Sequence, residues 1–548
     1  MTKDQITSPI NGLKLAGLGF WNVYFIAKFI LHAKGFITMA PLYNAILIAV
    51  LLLLPRLKER LQRPTRWLCV LAAAGLIYSE SWLPGIESLW ANAANIAGFS
   101  INYLVQLALD FINVSMILGF VLLVLLYELF KHYVRVSVIT ITYFVVCILM
   151  PFGPGDSSFE EAAVPGVTTR AITTEAKADP AMIPQDATIA NNETIQSWYT
   201  AFLEYEKERK AVLPNGISEK DTPFDIILLN ICSMSNDDLE ASGLENHKVF
   251  DQFDIRFDHF NTATSYSGPA ALRLLNAACG QTSHEDLYGA RRPDCEIMNR
   301  LDQLGFRQHV FMDHSGEYDN FLLTLQKEAG LNAPLEAQKH PVRYIAFNDE
   351  PIYDDLSVLR HWQRTTAKNS NKRSVSFINL IALHDGNRLP RHSRWQAFKP
   401  RAQILLNDLN KFMRELERTG RKVMLMVVPE HGAAVRGDKV QAPRLRDIPS
   451  LRITEVPVMV KFFGLKQLPK NQIHVTGTSS YLALSSLIGK TIASNFFSKP
   501  EGAVAVEDLI RDLPETNIVS ENGQAIVLRY KGKDYIRMND GAWKPYAH

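Results

Sequence analysis

Residues 224–235, FDIILLNICSMS, decide the fold: an apolar run that stops at a thiol and hydroxyls. Two more runs in the same half of the chain end in a similar way. VSFINLIAL at 375–383 leads into HDGNR at 384–388, and VMLMVV at 423–428 leads into PEHG at 429–432. Short, nearly continuous aliphatic runs are the pattern of parallel strands buried on both faces. Open α/β sheets place their sites outside the carboxyl ends of such strands. The three clusters should therefore share one rim.

Between the first two runs lies SYSGPA at 265–270, followed by a helical pattern. Ser267 falls near the N-cap, with Pro269 in the first turn. A helix start presents free N–H groups to an anion, so Ser267 is placed where a phosphate-handling nucleophile is needed. Taken alone it reads first as a simple cap, and Ser265 is a rival for either role. Glu430 and His431 offer two adjacent metal ligands at a strand end. His384 stands at another, as a ligand, a proton-transfer group or a satisfied buried histidine. Arg446 could hold a phosphate with its planar fork. Thiol, hydroxyl, carboxylate and imidazole together make the donor set and nucleophile of a zinc-assisted transfer.

Working outward, the second half alternates strand-like runs (224–231, 343–347, 375–383, 423–428, 456–463) with helical patterns (195–210, 270–278, 318–328, 401–418, 481–487). That alternation predicts a three-layer α/β/α domain over 196–548. From Asn517 on, turn signals separate the short runs AIVLRY and DYIRM, which predicts a small β-hairpin tail.

The first half differs. Residues 1–152 carry apolar stretches, from which we expect an α-helical multi-span membrane domain of about five spans, near 15–33, 42–55, 67–84, 112–130 and 135–152. Lys28 must snorkel or face other helices. Residues 87–111 are amphipathic. Arg56, Lys58, Arg60, Arg63, Arg66, Lys131 and Arg135 place the amino terminus in the cytoplasm and everything after about 152 outside. Residues 153–195, rich in Gly, Pro, Ala and Thr, read as a flexible linker. The formal net charge of +2 on 548 residues excludes no partner class.

Five cysteines divide accordingly. Cys69 and Cys147 lie in the apolar half and read as small apolar residues. Cys232, Cys279 and Cys295 lie outside, where disulfides persist. Cys279 and Cys295 flank one polar loop and are the natural pair. Cys232 is left over, either an inert buried thiol or a zinc ligand.

The stretches NICSMSNDDL, FNTATSYSGPAALRLLNAACGQ, LHDGNRLP and VVPEHGAAVRGDKVQAPRLRDIPS together resemble the membrane phosphoethanolamine transferases of the alkaline phosphatase superfamily. The resemblance is nearer to the bacterial cellulose phosphoethanolamine transferases than to the lipid A branch. That branch has a glutamate, a threonine and an Asp-His pair where this chain has Cys232, Ser267 and Glu430-His431. The resemblance implies Zn2+ held by Cys232, Glu430 and His431, with Ser267 as nucleophile and fourth ligand. It makes Tyr266, His384 and Arg446 supporting or phosphate-binding groups, and leaves His314 and His392 without a role. It implies a phosphatidylethanolamine donor, a cellulose acceptor and cellulose synthase subunits of a bacterial inner membrane as partners, with the catalytic domain periplasmic. A transferase to another glycan or lipid A, a sulfatase or phosphodiesterase, and a non-catalytic scaffold of a polysaccharide synthase are the other readings.

Overall fold

The computed structural model describes residues 18–33, 37, 39–53, 59–80, 114–149, 190–368, 372–465, 471–498, 505–539 and 541–546. The chain divides into two compact units, 1–85 with 109–176, and 86–108 with 177–548.

In the first unit, the described helices are α1 (Trp21–Ala33), α2 (Pro41–Leu53), α3 (Glu59–Glu80), α4 (Val114–Phe130) and α5 (Val136–Leu149). They correct the multi-span expectation: no described helix is long and apolar enough to cross a membrane. The apolar helices α1, α2, α4 and α5 have 13, 13, 17 and 14 residues. At about 1.5 Å per residue even the longest falls short of a hydrocarbon core of about 30 Å. The one long helix, α3, has 22 residues, but Glu59, Arg60, Arg63, Arg66 and Glu80 lie within it. Lys28 does not snorkel: it is buried, pairing with Glu80 and donating to Asn44 at 2.5 Å. The expected amphipathic segment 87–111 and nearly all of the expected linker lie outside the described residues.

The second unit is built on a seven-stranded sheet, ordered β3-β6-β1-β7-β8-β2-β9. Its strands are β1 (Asp225–Cys232), β2 (Ile255–Asn261), β3 (Arg307–Met312), β6 (Ser374–Leu380), β7 (Val423–His431), β8 (Glu455–Phe463) and β9 (Ile473–Ser479). β1 lies parallel to both β6 and β7, and β8 runs antiparallel to β7 and β2. The three runs read from sequence are thus adjacent central strands. Their side chains alternate between two cores. Ile226, Leu228, Met424 and Met426 face one, while Ile227, Leu229, Leu425 and Val427 face the other, against helices Asp355–Ala367 and Phe398–Glu417. Each such buried aliphatic side chain stabilises by roughly 1.5–3 kcal/mol. That two-sided burial is why the runs are continuous rather than alternating.

The run at 343–347 forms a strand, as expected, but outside the main sheet: β4 (Val342–Ile345) pairs with β5 (Pro351–Tyr353), and Ile345 also bridges to Arg388. Two expectations shift. β7 runs on through Pro429 to His431, so both candidate ligands belong to the strand itself. The tail is more than a hairpin, with β10 (Val519–Glu521), β11 (Ala525–Tyr530), β12 (Lys533–Met538) and β13 (Lys544–Pro545) in one antiparallel sheet. Helix α6 (Asn192–Glu208), opened by an Asn191–Thr194 capping box, packs Trp198, Tyr199 and Phe202 against Val519, Leu528, Tyr530 and Trp543 of that sheet.

Candidate metal centre and nucleophile

β1 ends at Cys232, in register with His431 of β7 after a shift between Ile231 and Cys232. The adjacency of two central strands therefore brings thiol and imidazole together. Ser267 arrives from the other side. It is the first residue of helix α7 (Ser267–Leu275), and the N-cap is Tyr266, which makes no side-chain capping bond. The serine hydroxyl is thus not a cap. Its Oγ lies 3.2 Å from Cys232 Sγ and 3.3 Å from His431 Nε2. Cys232 Sγ and His431 Nε2 are 3.9 Å apart, as are His431 Nε2 and Glu430 Oε2.

These separations suit a metal. With ligands at about 2.0–2.3 Å, the corners of a tetrahedral zinc site stand roughly 3.3–3.8 Å apart. Glu430 adds a sharper observation. The residue is fully buried, Oε1 accepts from Asn379 Nδ2 at 2.6 Å, and Oε2 has no hydrogen-bond partner. A bare buried carboxylate oxygen costs several kcal/mol unless a cation or proton meets it. His431 Nδ1 lies 2.8 Å from the Gly432 carbonyl. That bond places the ring proton on Nδ1 and leaves the Nε2 lone pair toward Ser267 and Cys232. Among the described residues the other such cluster, Cys279 with Asp294 and Cys295, has its two thiols joined in a disulfide. The pairing expected from their spacing is present, and Cys232 is free.

Without a cation the electrostatics are unfavourable to charge. Burial and the Glu430 carboxylate push the Cys232 thiol up to about 12. Burial raises Glu430, and burial with nearby Arg446 lowers His431. A divalent cation would reverse the first two, since it favours thiolate and carboxylate, and it would keep His431 neutral, as burial already does.

The surrounding groups are held by separate elements. Arg446 Nη1 lies 3.2 Å from His431 Nδ1 and 3.4 Å from Ser233 Oγ. Tyr266 donates to Asp447 Oδ1 at 2.6 Å. His384 lies beyond β6, which ends earlier than expected, at Leu380. Its ring stacks on Phe347, with centroids 4.8 Å apart, and its Nδ1 sits 2.8 Å from the Asp385 carbonyl. Burial and Arg446 hold it neutral, near 4. Ser265, the rival serine, is buried and donates to the Arg446 carbonyl, away from the thiol. His314 is buried beside Asp313, 2.9 Å away, and burial lowers it to about 4. His392 is exposed.

Sequence reading missed the supports. Asp238 accepts from Ala433 N at 2.6 Å and Val435 N at 2.9 Å, fixing the turn after β7. That turn comes so close that a Cβ on Gly432 would fall 2.6 Å from Ser235 Oγ. The Ser235–Asp238 capping box was visible as S-N-D-D; its grip on a distant turn was not. Asn379 and Asn522 gave no local signal.

Residues 179–543 match the family described as Cellulose biosynthesis protein BcsG C-terminal domain, and residues 21–149 its N-terminal domain. The chain is 38% identical over 541 residues to the Cellulose biosynthesis protein BcsG of Escherichia coli (strain K12), covering 97% of this chain and 96% of that protein. It is 39% identical over 541 residues to the Salmonella typhimurium protein of the same name, with the same coverage. Among solved structures, a zinc complex of the C-terminal periplasmic domain of EcEptC from Escherichia coli has TM-score 0.38 at 14% identity, covering 57% of this chain and 94% of that one. The lipoteichoic acid synthase LtaP from Listeria monocytogenes has TM-score 0.39 at 12% identity, covering 65% and 92%.

Proposed function

The chain belongs to the Cellulose biosynthesis protein BcsG family, and from that premise we propose that it is a zinc-dependent phosphoethanolamine transferase acting on cellulose. One observation supports this reading above others: Cys232 Sγ, Ser267 Oγ and His431 Nε2 stand 3.2–3.9 Å apart, and 3.9 Å from that nitrogen lies Glu430 Oε2, a buried carboxylate oxygen without a hydrogen-bond partner. The donor is phosphatidylethanolamine, and the synthase subunits of the cellulose machinery are the partners. The disulfide is consistent with an oxidising compartment, for which we take the periplasm.

Cys232, Glu430 and His431 would hold the zinc, with Ser267 at the remaining position. When bound, the ion supplies Lewis acidity, favouring the ionised serine and the charge that develops on the phosphoryl oxygens. The Ser267 oxygen attacks phosphorus as its hydroxyl proton is given up, and the bond to the diacylglycerol oxygen breaks, that oxygen taking up a proton to leave as the alcohol, with phosphoethanolamine left esterified to Ser267. A glucan hydroxyl then attacks the same phosphorus, and the Ser267 oxygen leaves. We assign the acceptor proton to His384, which burial and Arg446 keep neutral and whose Nδ1 is held by the Asp385 carbonyl. Arg446 faces the phosphoryl oxygens.

Intact-mass spectrometry of the full chain with phosphatidylethanolamine and no glycan tests this. We expect an adduct mapped to Ser267 that a cello-oligosaccharide discharges, and neither event in Ser267→Ala. An adduct on Ser265, or glucan decoration by Ser267→Ala, would overturn the mechanism. Release of free phosphoethanolamine to water, untouched by glycan, would make the protein a phosphodiesterase.

A further inference from the structure

The tail sheet contributes a side chain to the site. Asn522, immediately after β10, is buried with 6% of its surface exposed. Its Nδ2 donates to Ser265 Oγ at 2.7 Å, to the Asp447 carbonyl at 3.0 Å and to the Arg446 carbonyl at 3.2 Å. Its Oδ1 accepts from Thr264 Oγ1 at 3.0 Å and Ser265 N at 3.2 Å. Donors and acceptors match only one orientation of the amide, so the network itself fixes the side chain. One residue therefore ties the segment carrying Ser267 to the segment carrying Arg446. Ser265, which also donates to the Arg446 carbonyl, completes the tie.

We propose that Asn522 is a positioning residue for the transfer reaction, holding Ser267 and Arg446 in mutual register from the C-terminal sheet. This rests on the reading of Ser267 as nucleophile and Arg446 as phosphate ligand. Placement within about 0.5 Å is what such a pair needs, and residues outside the chemistry must supply it. Asn522 is itself held from behind. Glu521 N donates to the Ala263 carbonyl at 2.9 Å, and Glu521 Oε1 accepts from Tyr199 of α6 at 3.0 Å.

The test compares Asn522→Ala with Ser520→Ala in the full chain. Ser520 is an equally buried tail residue whose hydroxyl bonds Asn261 and Thr454, away from Ser267 and Arg446. With a soluble phosphatidylethanolamine analogue and cello-oligosaccharide, Asn522→Ala should lose kcat roughly 10- to 100-fold, with KM within about twofold and metal content unchanged. Ser520→Ala should lose melting temperature to a similar degree yet keep kcat. Equal kcat losses in the two variants, or an unchanged kcat in Asn522→Ala, would overturn the proposal. Hydrogen exchange separates this from the functional reading. Asn522→Ala should accelerate exchange in a 261–268 peptide, because Ser265 N–H loses its acceptor, whereas Ser520→Ala should not accelerate it at Ser265. A parent protein with no transfer activity would sink the function alone, while unchanged exchange at Ser265 would sink the clamp.

Discussion

Asn379 Nδ2 donates to Glu430 Oε1 at 2.6 Å, so that one oxygen of the buried carboxylate is committed and the other is bare. The same amide donates to Asn230 Oδ1 at 2.8 Å, and Asn230 in turn donates to the Val428 carbonyl at 3.0 Å. Three parallel central strands thus aim one oxygen. Outer contacts of this kind are worth about 10- to 100-fold in metal affinity. Asn379→Ala should weaken zinc binding by that factor, measured by chelator competition, and Cys232→Ala should abolish stoichiometric zinc in elemental analysis. Full zinc retention in Cys232→Ala would remove the thiol from the site.

The Cys279–Cys295 bridge closes a loop with a sequence separation of 16. On the chain-entropy account such a closure stabilises by about 3 kcal/mol. The Cys279→Ala, Cys295→Ala double variant should unfold at correspondingly lower denaturant, and non-reducing peptide mapping of the parent should leave Cys232 unpaired. A peptide linking Cys232 to either partner would contradict both the pairing and the metal site.

Asp313 and Asp355 form a buried carboxyl pair near the end of β6, where Asp313 also accepts from Ile381 N. Burial raises both. Asp313 moves from 3.8 to about 7, and Asp355, facing Asp313, moves well above its ordinary value. Groups raised on folding hold protons that the unfolded chain releases. Their stabilisation is complete below about pH 4 and is lost as pH rises through the folded value. Urea unfolding should therefore show stability falling between pH 5 and 8. Asp355→Asn, which donates to Asp313 without titrating, should flatten that fall. An identical slope in the variant would show that the pair does not share a proton.

What was legible in the sequence followed from burial. The runs ending at Cys232, near His384 and at Glu430-His431 are central strands, and two-faced burial writes itself as an unbroken aliphatic string. β2, β3 and β9 escaped notice because edge positions and mixed exposure dilute the pattern, as in IHVTGTS of β9, which is mostly half-exposed. The donor residues were visible because each follows such a string. Asn379 was not: it sits inside one, where a lone polar letter looks like an interruption. Asn522 was invisible for another reason, since its partners at Ser265 and Arg446 are 257 and 76 positions away. The apolar first half misled because composition reports hydrophobic letters and not where a helix begins and ends.

Arg446 provides the last expectation. Its backbone carbonyl is gripped by Ser265 and Asn522, while its guanidinium reaches His431 and Ser233. The carbonyl fixes the main chain, so substitution at the head group should leave the loop in place. Arg446→Lys keeps the charge and loses the planar fork that matches phosphoryl oxygens. Removing one preorganised contact to a developing oxyanion costs about 10²- to 10³-fold in rate. Arg446→Lys should therefore lose kcat on that scale while retaining zinc and the parent melting temperature, and the Ser267 adduct should form slowly rather than not at all. Loss of zinc together with activity would instead make Arg446 a support for His431, and its place on the phosphoryl group would have to be given up.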